Sequence, residues 1–202
     1  MPYPALNEKQ IDALKEVSNI GAGHAATALS QMTGRPIRIQ VSKIRLVGIE
    51  EVPEAVGGPQ RLLAGIFLKI YGEARGSILL VFPKESVTEL ISLLTNSGTA
   101  PDSPLPEMEV SMLKELGNIM ASSYLNAVSR LTKMILIPSV PGFAYDMAGA
   151  VLDSVLAELG DYGDTALLIE TELGLAKESL AGQFFLLPDP EYLRLLLNAL
   201  EP

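Results

Sequence analysis

Two short stretches of this chain pair a carboxylate with a carboxamide at the same spacing. Glu16 is followed three positions later by Asn19, and the pair returns 99 residues further along as Glu115 and Asn118. Residues three apart on a helix are neighbours on one face, so each pair would present both groups together. A carboxamide donates and accepts hydrogen bonds and can therefore orient a water molecule, while a carboxylate binds cationic groups.

The offset of 99 residues also relates the neighbours of the two pairs. It carries Lys15 onto Lys114 and Asp12 onto Ser111, and further residues recur unchanged at that offset, among them Ile20, Ala22, Ala28, Ser30 and Thr33. A duplicated helix keeps its apolar face because the core requires it, whereas retained polar residues need a different reason. Asn is a mediocre helix former, so its return in both copies indicates a role for the amide. The alternative is a relic of duplication on a solvated face.

Helical periodicity predicts where these polar groups point. Asp12, Glu16 and Asn19 fall within roughly 60° of one another around a helix axis, and the second copy behaves alike. The apolar residues of the first helix spread over the opposite side: Ile11, Leu14, Val17, Ala25, Ala28, Leu29 and Met32. We therefore expect the acid and the amide of each pair to face away from the core.

The order of elements predicts a duplicated fold. We expect a single domain, residues 1–202, built of two repeats at about 7–96 and 106–201, each a long helix, strands and a second helix. The long helices are predicted over 7–33, with Asn7 as N-cap and Gly34 as the stop, and over 106–132. Strands are predicted over 37–41 with an extension at 44–49, and over 62–71, 75–82, 134–140, 165–173 and 182–187; helices over 84–95, 148–159 and 191–200; and a linker over 96–106. The fold class is α+β with a mainly antiparallel sheet and pseudo-twofold symmetry, and the strand order does not follow from the pattern.

Composition limits the classes of function. The net charge is −9 and the sequence pI is about 4.7, which disfavours nucleic acid and anionic membranes as partners. The chain has no cysteine, which excludes disulfides and thiolate metal sites. The sequence shows neither a signal peptide nor a membrane span, so we expect no membrane insertion and a cytoplasmic protein.

A proline extends the motif of the second copy. Pro141 lies 23 positions after Asn118, with 22 residues between them. The resulting pattern, Asp or Ser, then Glu four positions later, Asn three positions after that, and Pro, resembles the signature of the CheC–CheX–FliY family of chemotaxis phosphatases. Four residues of the second copy match it in full: Ser111, Glu115, Asn118 and Pro141. The first copy matches at Asp12, Glu16 and Asn19, while Ser42 replaces the proline. The resemblance covers essentially the whole chain, and two intact pairs resemble the CheC type.

The resemblance implies a CheC-like fold and a protein phosphatase that hydrolyses the aspartyl phosphate of CheY, the chemotaxis response regulator. It implies catalytic roles for Glu16, Asn19, Glu115 and Asn118. Each Asn would hold a water molecule in line with the breaking P–O bond, and each Glu would contact the lysine of the receiver domain. Such a reaction depends mainly on positioning and charge stabilisation. No cofactor or metal of the chain's own is expected, since the receiver would supply Mg²⁺.

The partners implied by the resemblance are phosphorylated CheY and CheD, the receptor deamidase. The helix predicted at 148–159 would dock CheD, or would serve only core packing. Two rival interpretations stay open: a CheD-binding adaptor with weak or vestigial phosphatase activity, and a flagellar switch component of the FliY type, which would contain a further domain.

Four other residues have simpler interpretations. His24, the single histidine, is expected to be packed or partly exposed and not a ligand. Pro141 is expected to set the chain direction after the first strand of its repeat. Gly21 and Gly23, inside a helix, are expected to permit the close approach of a neighbouring helix.

Overall fold

The computed structural model describes residues 6–95, 105–159, 165–175 and 178–199. The first repeat forms α1 (Glu8–Thr33), β1 (Ile37–Gly48), α2 (Val52–Ala55), β2 (Leu62–Gly72), β3 (Gly76–Pro83) and α3 (Lys84–Thr95). The second repeat forms α4 (Glu107–Thr132), β4 (Leu136–Pro138), β5 (Gly142–Met147), α5 (Ala148–Leu159), β6 (Thr165–Leu175), β7 (Glu178–Pro188) and α6 (Pro190–Ala199).

The helices α1 and α4 are structural copies. Each has 26 residues, and both ends of α4 lie 99 positions after those of α1. The side chain of Asn7 accepts a hydrogen bond from the Gln10 N–H at 2.9 Å, while the Gln10 side chain accepts one from the Asn7 N–H at 3.1 Å. This reciprocal capping confirms the predicted start of α1. Both helices end at a left-handed residue, Gly34 (φ 68°) and Lys133 (φ 61°), again 99 positions apart.

The sheet interlocks the two repeats. Its order is β1–β6–β7–β3–β2–β4, with β5 also paired to β2, and every pairing is antiparallel. The first strand of each repeat therefore pairs with the other repeat: β1 with β6, and β4 and β5 with β2. The symmetry axis implied by this order passes between β3 and β7. The predicted α+β class with a mainly antiparallel sheet is confirmed.

Helices cover both faces of the sheet. One face packs against α1, α3, α4 and α6 in the larger hydrophobic core, where Leu29, Leu113 and Tyr192 are buried. The other face packs against α2 and α5 in a smaller core that includes Val52 and Val151. Burial on both faces explains why β3 is a continuous run of buried residues.

The two long helices run in opposite directions over the sheet. Gly117 of α4 lies against Ile66 of β2, and α4 leads into β4, which pairs with the end of β2 at Gly72. Ser30, near the end of α1, bonds Ile37, which pairs with the last residue of β6. The helix α4 therefore runs in the same direction as β2, and α1 runs in the same direction as β6. Because β2 and β6 are antiparallel in this sheet, α1 and α4 are antiparallel as well.

The second repeat departs from the predicted strands. The strand predicted over 134–140 is wrong in extent, because β4 covers only Leu136–Pro138. A strand that was not predicted, β5, follows at Gly142–Met147. Pro141 lies between them and has no N–H to donate to a strand ladder, so the ladder stops and restarts. Most of the predicted linker, 96–104, lies outside the described residues.

Candidate functional site

The two carboxylate–carboxamide pairs lie on the outer surfaces of the long helices. Glu16 and Asn19 of α1 are exposed, Glu115 of α4 is exposed, and Asn118 is half-buried. Within each helix the two members are one turn apart and project from the same face. The structure keeps the two pairs on separate helices, so they form two sites, which we call the first site (Glu16 and Asn19) and the second site (Glu115 and Asn118).

The opposite sides of both helices are anchored in the core. Leu14 and Leu29 of α1 and Leu113 and Leu116 of α4 are at most 1% exposed. Met32, predicted on the apolar side of α1, is instead 45% exposed in the last turn of the helix. The anchored faces fix the rotation of each helix about its axis. Both pairs are therefore presented to the outside by rigid elements.

Asp12 and Ser111, one turn before each Glu, are also exposed. The Ser111 hydroxyl donates a hydrogen bond to the backbone carbonyl of Glu107 at 2.9 Å. That bond commits the hydroxyl to its own helix. In the second copy, the hydroxyl one turn before Glu115 is therefore engaged with the backbone of α4.

The sheet edge beside each site is irregular at the same repeat position. In the first repeat, β1 slips by one residue between Val41 and Lys43, and the Ser42 hydroxyl donates to the Glu170 carbonyl at 3.2 Å. In the second repeat, the equivalent residue, Pro141, lies in the break between β4 and β5. Pro141 thus lies where the pairing along β2 is interrupted, after the first strand of its repeat.

Tyr145, Glu85 and Arg61 form a small polar cluster near β5. Tyr145 of β5 is half-buried, and burial together with the Glu85 carboxylate raises the pKa of its phenol. A backbone hydrogen bond in the first turn of α3 lowers the pKa of Glu85, and the Arg61 guanidinium, 3.5 Å away, adds to that effect. The region beside β5 is therefore partly polar, with an ion pair of modest strength at the surface.

The remaining candidates have ordinary environments. His24 is exposed on α1. No cluster of three or more His, Asp or Glu side chains suited to a metal occurs in the described ranges, and no helix there is long and apolar enough to cross a membrane. On α5, Val151 and Val155 are buried while Asp153 and Ser154 are exposed, so one face packs and the other is open to solvent.

The interpretation of the sequence missed the apolar edge beside the second site. Val140 is 85% exposed in the connection between β4 and β5, and Phe143 of β5 is half-buried. A signal was present, because Val140 lies 99 residues after Val41 and directly precedes the proline that distinguishes the two repeats. The sequence-based prediction of one strand across 134–140 obscured it.

The arrangement suits chemistry on a group that another molecule presents. An exposed carboxamide can accept one hydrogen bond from water and donate another to an anionic oxygen. A carboxylate one turn away can bind a cation of the same partner. The helix surface is convex, so a partner must bring the rest of the reacting groups.

Comparisons with known proteins agree with the repeat. The model of the CheC-like family matches residues 10–41 and 108–145, the segments that contain the two pairs. The CheY-P phosphatase CheC of Bacillus subtilis (strain 168) is 37% identical over 202 residues, with 98% of this chain and 97% of that protein covered. The crystal structure of Thermotoga maritima FliY has a TM-score of 0.78 at 20% identity, covering 96% of this chain and 97% of that one. A chain of the CheX–CheY–BeF3–Mg²⁺ complex from Borrelia burgdorferi has a TM-score of 0.51 at 17% identity, covering 90% and 96%. The last two likenesses show a shared fold.

Proposed function

The chain belongs to the CheC-like family, and on that premise we propose that it hydrolyses the aspartyl phosphate of the response regulator CheY. The observation that supports this most strongly is the pairing of an exposed Glu with an Asn, one turn apart, on both α1 and α4. The near full-length identity to a protein named as a CheY-P phosphatase supports the choice of substrate.

Each Asn acts by orienting water. The carboxamide of Asn118, or of Asn19, holds a water molecule in line with the P–O bond that joins phosphate to the receiver aspartate. The water oxygen bonds to phosphorus, the P–O bond breaks with its electron pair returning to the aspartate carboxylate, and inorganic phosphate leaves. An acyl phosphate is already reactive, so positioning of the nucleophile supplies most of the catalysis.

Each Glu fixes the docked partner. Glu16 and Glu115 lie one turn before the Asn of their pair. From there each carboxylate can bind the lysine of a receiver domain through a charge-assisted hydrogen bond. Mg²⁺ comes with the receiver, and the phosphatase contributes the amide and the carboxylate. The single domain of two interlocked repeats thereby offers two docking positions for CheY.

CheD is the second proposed partner, and the cytoplasm is the proposed location. The exposed side of α5, with Asp153 and Ser154, is the docking surface that we assign to CheD. The rival proposal is an adaptor that binds CheD and retains only vestigial hydrolysis. The acidic net charge of −9 suits a partner with a basic surface in either case.

Phosphate release decides between the phosphatase and the adaptor. CheY labelled with acyl phosphate in the presence of Mg²⁺ is mixed with the purified protein, and inorganic phosphate is measured over time. We expect release well above the rate of the receiver alone, and further modulation when CheD is added. A rate equal to that of the receiver alone, with and without CheD, would favour the adaptor.

A further inference from the structure

Two valines at the same repeat position have opposite environments. Val41 and Val140 are 99 residues apart, the offset that also relates α1 to α4. Val41 is 7% exposed and packs in the main core, whereas Val140 is 85% exposed. Among the exposed large apolar residues that the structure describes, Val140 has the highest exposed fraction.

The proline after Val140 explains the difference. Val41 remains in the ladder of β1, paired with Thr171, and the slip at Ser42 follows it. In the second repeat the ladder ends at Pro138. Ser139 then bonds across to Lys69: its N–H donates to the Lys69 carbonyl at 2.8 Å, and its hydroxyl accepts the Lys69 N–H at 2.9 Å. Because Pro141 cannot donate, the chain leaves the ladder and Val140 is released from the core.

Val140 connects the two short strands, β4 and β5, that border α4, the helix of the second site. Gly117, which precedes Asn118, packs against Ile66 of β2, and Ile66 pairs with Phe143 of β5. The connection that contains Val140 enters β5 at Gly142, one residue before Phe143. Leu136 of β4 is buried in the core that α4 covers. Side chains two residues apart on a strand lie on the same face of the sheet, so Pro138 lies on the α4 face, and Val140 is two residues further along. A molecule docked over Asn118 therefore meets Val140 at its margin.

We propose that Val140 is a docking residue of the second site and contacts an apolar surface of the phosphorylated receiver bound at Asn118. This inference rests on the proposed function. Its partner is the receiver because a body large enough to place a phosphoryl group at Asn118 extends over the adjacent sheet edge. At the first site the corresponding position is buried, and the exposed residues that follow it are Ser42 and Lys43. The two sites thus hold the same partner with different chemistry, apolar at the second and polar at the first.

Steady-state kinetics of the second site alone test the docking role. In an Asn19→Ala background, turnover of phosphorylated CheY belongs to the second site. Adding Val140→Ser should raise KM about tenfold, the scale expected when one apolar side chain no longer becomes buried, while kcat stays within about twofold. Val140 is exposed, so the substitution should leave the unfolding midpoint unchanged.

Ile137→Ser is the matched control. Ile137 lies on β4, three residues before Val140, is 54% exposed and pairs with Tyr71, but it points to the opposite face of the sheet, away from α4. We expect it to leave KM unchanged. The KM shift of Val140→Ser should also be confined to the Asn19→Ala background and be missing in the Asn118→Ala background, where only the first site remains.

Two results would overturn the docking role by itself: an unchanged KM for Val140→Ser, or an equal rise for Ile137→Ser, in protein whose activity disappears when both Asn residues are replaced. Full activity in that double Asn variant would overturn the proposed function and the docking role with it. The two failures are therefore distinguishable in one set of measurements.

Discussion

Gly21 of α1 lies directly against the backbone of Tyr124 on α4. A Cβ atom at Gly21 would be 2.9 Å from the Cα of Tyr124 and 3.3 Å from the carbonyl oxygen of Ser123. Backbone atoms cannot move aside as a flexible side chain does, so the contact requires glycine. Gly21 therefore sets the distance between the two helices that contain the Glu and Asn pairs, as expected. The same expectation is wrong for Gly23, where an added Cβ would meet no atom within 4 Å.

Replacing Gly21 with Ala should destabilise the protein by about 1–3 kcal/mol, because the added methyl forces the helices apart. Gly23→Ala is the matched control, since a Cβ there meets no atom within 4 Å. In that open position Ala should stabilise the helix by about 0.5–1 kcal/mol. Urea unfolding of both variants checks this, and equal effects from the two substitutions would contradict the close contact.

Burial of two tyrosines should make the protein sensitive to alkaline pH. Burial raises the pKa of the Tyr124 phenol, and burial together with Tyr124 and Asp189 raises that of Tyr192. A tyrosine whose pKa is higher in the folded than in the unfolded state stabilises the folded protein. That contribution is complete below the unfolded-state pKa of about 10, and it is lost as the pH rises from there toward the folded-state pKa. Neither hydroxyl has a hydrogen-bond partner among the described residues.

The variant with Tyr124→Phe and Tyr192→Phe should therefore lose little or no stability at pH 7 and should retain more of it at pH 11 than the wild type. The free energy of unfolding in urea at the two pH values is the measurement. A parallel decline of both proteins between pH 7 and pH 11 would show that these phenols do not control the alkaline limit.

The exchange of first strands predicts that neither repeat folds alone. A fragment of residues 1–100 contains β1 but lacks its partner β6, and it leaves one edge of β2 without β4 and β5. Each fragment should unfold without a cooperative transition, because single-repeat sheets expose long unpaired edges. An equimolar mixture of 1–100 and 101–202 should recover the circular dichroism and cooperative melting of the whole chain. Cooperative unfolding of either fragment by itself would count against the interlocked sheet.

The long helices were predictable because local signals agreed with the repeat. Asn7 and Gly34 mark the ends of α1, and the offset of 99 residues transfers those ends to α4. The strand order was not predictable, since pairings such as Ile44 with Ile169 join residues far apart in the chain and leave no periodic mark. The strand β5 was missed because Pro141 and Gly142 are typical of a turn, and only pairing with β2 makes the following residues a strand.

The outward orientation of the Glu and Asn pairs also followed from helical periodicity, although Asn118 is half-buried and Asn19 is exposed. That difference arises from the surroundings of each helix, which periodicity does not describe. The exposure of Val140 was also missed, because its residue type matches that of Val41, and only Pro141 in place of Ser42 signalled that the ladder would be interrupted.

The central claim is that a carboxamide on each long helix aims water at a phosphoryl group presented by CheY. The most direct measurement is the initial rate of phosphate release from phosphorylated CheY with the wild type, Asn19→Ala, Asn118→Ala and the double variant, each with circular dichroism to verify folding. Each single variant should retain the rate of its remaining site, and the double variant should fall by about a hundredfold or more, to the rate of the receiver alone. A folded double variant that releases phosphate at the wild-type rate would contradict the claim.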